Sequence, residues 1–406
     1  MAVDKNFCRN DIFLLFFLVI AYKTRYNIRC GLIGMNKGYY IISFFKNNVV
    51  LVVAFVAAAV SCIFIPPDAG YADYFDLRTL ISLFGMSAVV AALKNLRFFR
   101  ILAAKIISLF KTTRSAISAL VAITYIASML IANDMALITF LPLGYFVLHS
   151  SKQEKHMAFT FTMQTVAANL GGMLTPFGNP QNLYLYNKFR IPTSEFFVIM
   201  IFPTLFSVLL IALCCLFIKK ETLEKPESQE GRLNKTKTAF CFVFFAYMLL
   251  IVFRVVPYWT GLLIIPVMLI FDRTALGKVD YSLLLTFCMF FIFTGNLSRL
   301  DAVDSFFRVL LGKSVLLTGV VSCQLISNVP SAVLLSGFTA DYAALLTAVN
   351  IGGCGTLISS MASLISFKCF CAYRPREKGK YLLLNSAVNF GFLIALTLFC
   401  LLLPLF

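Results

Sequence analysis

The stretch NLGGMLTPFGNPQN, from Asn169 to Asn182, decides how this chain folds. It interrupts an apolar region with three glycines and two prolines, which break a helix or leave its backbone hydrogen bonds open. In a lipid environment, a break of this kind is affordable only where the freed backbone groups face protein, water or a ligand. The stretch therefore predicts a binding site inside the membrane.

A second copy of this stretch, NIGGCGTLISSMAS, runs from Asn350 to Ser363. At an offset of 181 residues (350 − 169), the two copies share an Asn, two Gly and a Thr, and one glycine and two asparagines of the first copy match serines of the second. The matched pairs are Asn169/Asn350, Gly171/Gly352, Gly172/Gly353, Thr175/Thr356, Gly178/Ser359, Asn179/Ser360 and Asn182/Ser363.

Each copy follows a polar break between two apolar arms. The first break is Asn133-Asp134 in SMLIANDMALITFLPL, and the second is Ser327 to Pro330 in CQLISNVPSAVLLSGF. Interrupted hydrophobic segments at matching positions of two halves are typical of secondary transporters whose site lies between inverted repeats. We therefore expect an all-α polytopic membrane protein with two inverted repeats, each with a re-entrant hairpin and a discontinuous transmembrane helix. Chance similarity among glycine-rich segments is the alternative.

Composition supports a membrane protein. The chain has 406 residues, 60% hydrophobic and only 13% charged, and its mean hydropathy is +0.88. The net charge of +17 is concentrated at the ends of apolar runs, as in cytoplasmic loops, which argues against nucleic-acid binding. The twelve cysteines are scattered without a CxxC pair and read as small hydrophobes. We expect no cofactor and no metal other than a possible sodium ion.

The charge pattern also predicts a topology. Residues 1–46 stay unassigned, 47–218 form the first inverted repeat, 219–238 a cytoplasmic linker and 239–406 the second repeat. Nine crossings result, with the N-terminus cytoplasmic and the C-terminus outside the cell membrane. The predicted crossings are 49–65, 77–93, 157–187, 196–218, 239–257, 260–271, 282–297, 342–370 and 382–406. Two full spans at 115–148 are the alternative to a re-entrant hairpin there.

This topology leaves seven of the 35 Lys and Arg residues away from the cytoplasmic side. They are Arg78, Lys188, Arg190, Arg254, Arg299, Arg308 and Lys313.

The interrupted segments contain no Lys or Arg, so a bound anion must be held by amide and hydroxyl donors and by backbone N–H groups at helix N-termini. The candidate substrate ligands are Asn133, Thr175, Asn179, Gln181 and Asn182 on one side and Asn328, Thr356, Ser359, Ser360 and Ser363 on the other. The candidate ligands of a coupling cation are Asn133, Asp134, Gly178, Ser327, Asn328 and Gly355.

Asp134 is the carboxylate predicted deep in the membrane. A charged Asp at the bilayer centre costs about 2.5 to 3.5 kcal/mol, so an unpaired one is expected to be protonated or to bind a cation. An N-cap of the second hairpin arm is the alternative role, and both can hold together.

The motifs ANDMALITFLPL, TPFGNPQN, SNVPSA and GGCGTLISS resemble those of the ion transporter superfamily, which includes arsenite permeases, citrate transporters and divalent anion:sodium symporters. The resemblance covers residues 45–406 and implies an elevator-type transporter that is usually a homodimer. In the anion:sodium branch, each hairpin tip carries a Ser-Asn-Thr motif, of which only Asn133, Ser327 and Asn328 are present here. The Asn133-Asp134 pair looks more like the arsenite permease and sodium/proton antiporter branches.

We therefore predict a secondary active transporter of a small inorganic or carboxylate anion, coupled to sodium or protons and surrounded by membrane lipid. A sodium/proton antiporter or an arsenite efflux permease of the same fold is the alternative. An enzyme is not expected, since the chain has no GxSG, HExxH or paired intramembrane Asp motif.

Overall fold

The computed structural model describes residues 48–222 and 233–403, and this part of the chain is helical, with no β-strand. The unassigned extension at 1–46 and the middle of the predicted linker lie outside the described residues.

Eight α-helices precede the linker. They are α1 (Val49–Phe64), α2 (Leu77–Asn95), α3 (Phe98–Ile107), α4 (Thr113–Ile131), α5 (Asn133–Ser150), α6 (Met157–Gly171), α7 (Pro180–Lys188) and α8 (Thr193–Leu216). Ten more are described after it. They are α9 (Lys235–Val252), α10 (Ile264–Phe271), α11 (Arg273–Gly277), α12 (Tyr281–Leu297), α13 (Asp301–Lys313), α14 (Val315–Ile326), α15 (Asn328–Leu335), α16 (Tyr342–Ile351), α17 (Met361–Tyr373) and α18 (Lys378–Leu402).

The helices are long and apolar enough for a multi-pass membrane protein. Five segments of the described residues can each cross a bilayer alone: α2, α4, α8, α9 and the segment 375–402 that contains α18. Helices α12 and α13 pass the same test only together, and they bend by 100° at the break between them. The all-helical membrane class is confirmed, while the nine crossings and the inverted repeats stay predictions.

Helices α1 and α12 pack side by side and join the two halves of the chain. Asn296 of α12 is fully buried, and its Nδ2 donates to Ser61 Oγ at 3.0 Å and to Tyr71 Oη at 2.8 Å. Because a polar group in an apolar interior costs free energy unless it is paired, these bonds hold α1 at one position along α12. Helices α2 and α9 also pack together, next to this pair.

Helices α4, α5 and α6 form a tight group around small residues. Ser128 Oγ of α4 donates to Ala168 O of α6. Gln164 Nε2 of α6 donates to Thr124 Oγ1 and to Phe140 O, both at 3.1 Å. These side chains tie three helices together along the second half of α6.

Gly171, the last residue of α6, allows the closest contact in this group. A Cβ at this position would lie 2.3 Å from the carbonyl oxygen of Tyr125 in α4. Since that oxygen belongs to a helix backbone, it cannot move aside without displacing α4. Glycine is therefore required here for the two backbones to approach, as in other membrane helix pairs.

We expect Gly171→Ala to lower the thermal midpoint of the detergent-solubilised protein, because overpacking of this kind costs about 1–3 kcal/mol. Gly391→Ala in α18 is the matched control, since nothing lies within 4 Å of a Cβ there. Fluorescence-detected size exclusion after heating measures both variants. Equal midpoints for the two variants would contradict the close approach.

Candidate functional site

The two polar breaks adopt the same unusual backbone conformation. Ala132, between α4 and α5, has φ 62° and ψ 147°, and Ser327, between α14 and α15, has φ 79° and ψ 158°. The next residue is an Asn in both cases, and its Oδ1 accepts the N–H of the residue that follows, at 3.0 Å from Asn133 and 2.9 Å from Asn328. Positive φ at a non-glycine residue costs about 1–3 kcal/mol. That both tips carry this cost indicates equivalent roles.

The two glycine-rich stretches also break their helices in matching ways. Residues 172–179 separate α6 from α7, and residues 352–360 separate α16 from α17. The second half-helix begins after an extended residue in each case. These residues are Asn179 (φ −133°, ψ 146°) and Ser360 (φ −148°, ψ 150°), which the sequence aligns with each other.

Asn169 connects the first tip to the second break. Its Oδ1 accepts Asn133 Nδ2 at 3.1 Å, and its own Nδ2 donates to Gly353 O at 3.1 Å. Asn350, which aligns with Asn169, connects the end of α16 to the first break. Its Nδ2 donates to Asn182 Oδ1 at 2.6 Å, and its Oδ1 accepts Asn179 Nδ2 at 3.2 Å.

The second tip is held by its own break. The backbone N–H of Asn328 donates to Ser359 O at 2.9 Å, and Ser327 Oγ donates to the same oxygen at 3.2 Å. Ser359 Oγ in turn donates to Gly353 O at 2.9 Å. Both tips and both breaks therefore belong to one hydrogen-bonded group of residues.

A cavity of about 220 Å³ lies between the two tips. Six helices begin at its wall, namely α1, α5, α7, α12, α15 and α17. The polar and charged residues in the wall are Asn48, Asn133, Asp134, Gln181, Asp280, Ser282, Thr286, Ser327, Asn328 and Lys368. Helix N-termini carry partial positive charge, which favours negative groups, while Asp134 and Asp280 add negative charge to the same wall. We call this space the central cavity.

Comparison with known proteins identifies the family. Residues 39–351 match the family model described as citrate transporter. The chain belongs to the citrate transporter family. It is 30% identical over 322 residues to an uncharacterized transporter of Methanocaldococcus jannaschii. The matched region covers 79% of this chain and 88% of the relative. It is also 26% identical over 299 residues to the inner membrane protein YbiR of Escherichia coli, and this match covers 72% of this chain and 80% of the relative. The protein is therefore a membrane transporter, and its place in the ion transporter superfamily is confirmed.

Gln181 is the most informative residue of the transporter's central cavity. Its side chain is only 1% exposed, yet neither Oε1 nor Nε2 has a hydrogen-bond partner among the described residues. Leaving a buried polar group unpaired costs about 1–3 kcal/mol, so such a group in a cavity wall is available for a ligand. Its amide can both donate and accept.

Asp134 lies in the same wall, and its buried Oδ1 also lacks a partner in the described part of the chain. Two charged residues that the sequence did not point to accompany it. Asp280 caps α12 by accepting the N–H of Leu283 at 3.0 Å, and Lys368 comes from α17. The sequence offered one signal for Asp280, because an Asp directly before an apolar run is typical of a helix N-cap. It offered no signal for Lys368.

Five predicted residues line the central cavity: Asn133, Asp134, Gln181, Ser327 and Asn328. Nine others lie outside its wall: Thr175, Gly178, Asn179, Asn182, Thr356, Gly355, Ser359, Ser360 and Ser363.

Several of these nine hold the broken backbone. Thr175 Oγ1 donates to Met129 O at 2.7 Å, and Thr356 N donates to Gln324 Oε1 at 2.8 Å. Gly355 has φ 115°, which suits glycine. A ligand role for these nine residues stays a prediction.

Asn182 and Gln181 are neighbours with opposite surroundings. Asn182 Nδ2 lies 3.1 Å from Gly172 O, 3.2 Å from Met173 O and 3.1 Å from Thr175 O, so three carbonyls of the first break share its two N–H groups.

We expect Asn182→Ala to lower the thermal midpoint clearly, because it leaves buried carbonyls unpaired at a cost of about 1–3 kcal/mol. Gln181→Ala removes an amide that has no partner, so its midpoint should stay near that of the wild type. Thermal unfolding in detergent without added substrate measures both. A larger loss for Gln181→Ala than for Asn182→Ala would contradict these roles.

Proposed function

We propose that this transporter is a secondary active carrier that moves a small anion, coupled to sodium or protons. The observation that carries the proposal is the convergence of six helix N-termini on a small cavity that contains the unpaired Gln181 amide. Each N-terminus contributes about 0.3 to 2 kcal/mol toward a negative group. The volume of about 220 Å³ suits a small anion rather than a drug-sized ligand.

The substrate class follows from the charges in the wall. Lys368 is the one Lys or Arg among the residues that the structure places around the central cavity, and the other donors are neutral amides, hydroxyls and backbone groups. Such a wall holds a carboxylate or a small inorganic anion without holding it too tightly for release. The family description, citrate transporter, agrees with a small carboxylate anion.

A cation is proposed to bind at Asp134. Its unpaired Oδ1 faces a region that also contains Asp280, so two carboxylates lie where an anion should bind. Unless a proton or a sodium ion offsets them, these charges repel the substrate. Coupling therefore has a direct physical reason here, because the cation makes the cavity acceptable to the anion. Asn133, Ser327 and Asn328 line the same cavity, and their oxygen atoms are proposed as further ligands of the cation.

The movement is proposed to be of the elevator type, between inverted repeats and in a homodimer. The tips and breaks are bonded to each other through Asn169 and Asn350, so they can move as one body. The α1–α12 pair, fixed by Asn296, would form part of the frame.

The proposed orientation places the N-terminus in the cytoplasm and the C-terminus outside. Asn48, Asp280 and Lys368 then lie on the cytoplasmic side of the tips, so the central cavity opens inward.

A sodium/proton antiporter or an arsenite efflux permease is the second candidate, and the unpaired Asp134 Oδ1 favours it. In that case, a sodium gradient moves protons without an anion, or arsenite is exported.

Uptake into proteoliposomes tests the proposal. We expect one of citrate, sulfate, phosphate or arsenite to accumulate under a sodium or a proton gradient imposed separately. Gln181→Ala should reduce uptake about tenfold or more, since a hydrogen bond to a charged ligand contributes about 1.5–3 kcal/mol. Ser298→Ala, an exposed residue near the end of α12, is the control and should transport normally. Normal uptake by Gln181→Ala would remove the central cavity from consideration.

The same assay isolates the coupling role of Asp134. Asp134→Asn keeps the shape of the side chain but cannot be ionised, so uptake should lose its response to the driving gradient. If the variant still follows that gradient, Asp134 does not carry the coupling ion. Proton movement driven by sodium with no anion present would instead support the antiporter.

A further inference from the structure

A second cavity, of about 590 Å³, lies at the other end of α7 from Gln181. Four cationic side chains line it, Arg78, Lys188, Arg190 and Arg254, and we call it the basic cavity. Two carboxylates, Asp73 and Asp76, also line it, which leaves a formal charge of +2 (4 − 2). Helix α7 has nine residues and is about 12 Å long, and it separates the two cavities.

The four cations are four of the seven Lys and Arg residues that the predicted topology leaves off the cytoplasmic side. They come from three separate parts of the chain, at the start of α2, the end of α7 and the end of α9. Residues that depart from the usual charge distribution of membrane proteins are therefore gathered in one place. Since like charges repel, this gathering calls for a negative partner.

Two of the four cations are anchored by the protein. The guanidinium of Arg254 lies 4.1 Å from the centroid of the Tyr186 ring and donates to Ile191 O at 3.2 Å. Its buried Nε has no partner among the described residues. The guanidinium of Arg78 lies 5.5 Å from the centroid of the Tyr258 ring. Their positive charges are thus fixed in the wall.

The other two cations are free to reach a ligand. Lys188 and Arg190 are exposed, and neither forms an ion pair within residues 48–222 and 233–403. The carboxylate of Asp76 forms no ion pair with Lys188 or Arg190; it caps α2 and accepts from Thr79 N at 3.1 Å and from Thr79 Oγ1 at 2.6 Å, and its charge is already subtracted in the net +2.

Asn187 adds a hydrogen-bond acceptor to this wall. Thr79 Oγ1 donates to Asp76, so it must accept from Asn187, and Asn187 Nδ2 lies 3.1 Å away from it. These two bonds place the amide nitrogen of Asn187 next to Thr79 and its oxygen, Oδ1, on the other side. Asn187 Oδ1 is then left unpaired, on a side chain that is only 8% exposed. The wall therefore offers positive charge together with one acceptor that needs a donor.

We propose that the basic cavity is a second binding site, for a small dianionic oxyanion that also carries an O–H group, such as monohydrogen phosphate. Two negative charges match the +2 of the wall, and the O–H donates to Asn187 Oδ1. The phosphodiester group of a lipid has one negative charge and no O–H on its phosphorus, so it fits less well than monohydrogen phosphate. The site lies at the face opposite the opening proposed for the central cavity, where full positive charges raise the local concentration of anions. The inference does not require the central cavity to bind an anion.

Calorimetric titration of the full chain in phosphatidylcholine nanodiscs with inorganic phosphate, at mildly alkaline pH and constant ionic strength, tests this site. All proteins carry Gln181→Ala, so that the central cavity contributes little. Lys188→Gln/Arg190→Gln removes the two exposed cations, and Arg308→Gln/Lys313→Gln is the matched control on the same predicted side. We expect phosphate affinity to fall about tenfold or more in the first and less than about twofold in the control.

Sulfate provides a second measurement, since it is a dianion without an O–H group. We expect it to bind more weakly than phosphate, and equal affinities would overturn the role of Asn187. Equal phosphate affinity in the two double variants would overturn the site.

A lipid occupant is detected by native mass spectrometry after addition of phosphatidylglycerol. Retention of that lipid by the parent but not by Lys188→Gln/Arg190→Gln, without phosphate binding, would assign the cavity to a headgroup and reject the proposal. Both double variants must keep the parent's thermal midpoint without phosphate, which is expected because all four residues are exposed.

Discussion

The structure depends on the pairing of backbone groups that two helix breaks release inside an apolar interior. Without water, each unpaired carbonyl or N–H would cost several kcal/mol, so the breaks exist only because side chains serve them. Asn182 serves three carbonyls of the first break, and Gln324 Nε2 serves two of the second, Gly352 O at 2.9 Å and Cys354 O at 3.0 Å. Four of the six helix N-termini that surround the central cavity are a consequence of these breaks and of the two tips, namely those of α5, α7, α15 and α17.

The two proposed sites would attract an anion in two different ways. In the central cavity, the partial charges of helix ends and neutral amides would provide most of the attraction, because Lys368 is the one cation in its wall and stands against two carboxylates. At the basic cavity, four full charges are tolerated because Lys188 and Arg190 reach the surface and Arg78 and Arg254 lie over tyrosine rings. Strong charge suits capture from water, whereas weaker donors suit binding followed by release.

Much of the fold could be predicted from sequence. The two tips and the two breaks are found where the glycine, proline and asparagine patterns placed them, and the helices begin within a few residues of the predicted positions. Such signals are local, because a break needs particular residues at the break itself. Orientation and repeat symmetry concern the membrane and the whole chain, so they stay predictions. The short helix α11 was not predicted, since its five residues give no periodic pattern.

The site was less accessible from sequence because a cavity is formed by convergence. Gln181 and Asn182 are adjacent and both polar, yet Gln181 lines the cavity and Asn182 holds the break. Only their positions on α7 distinguish these two roles. Asp280 reaches the cavity from the start of a helix that looks like an ordinary span, and Lys368 reaches it from α17, well beyond the second break. The four cations of the basic cavity were visible only as exceptions to a charge rule.

Cross-linking of the two tips tests the central claim most directly, namely that both tips meet at one cavity. The measurement uses Asn133→Cys/Asn328→Cys in a chain whose own cysteines are replaced, treated with a short thiol-reactive cross-linker in membranes. The account predicts an efficient cross-link within a single molecule, and protection of both thiols by the transported anion. If both cysteines react with a monofunctional reagent but never cross-link, and each is reached from a different side of the membrane, the tips do not share a cavity.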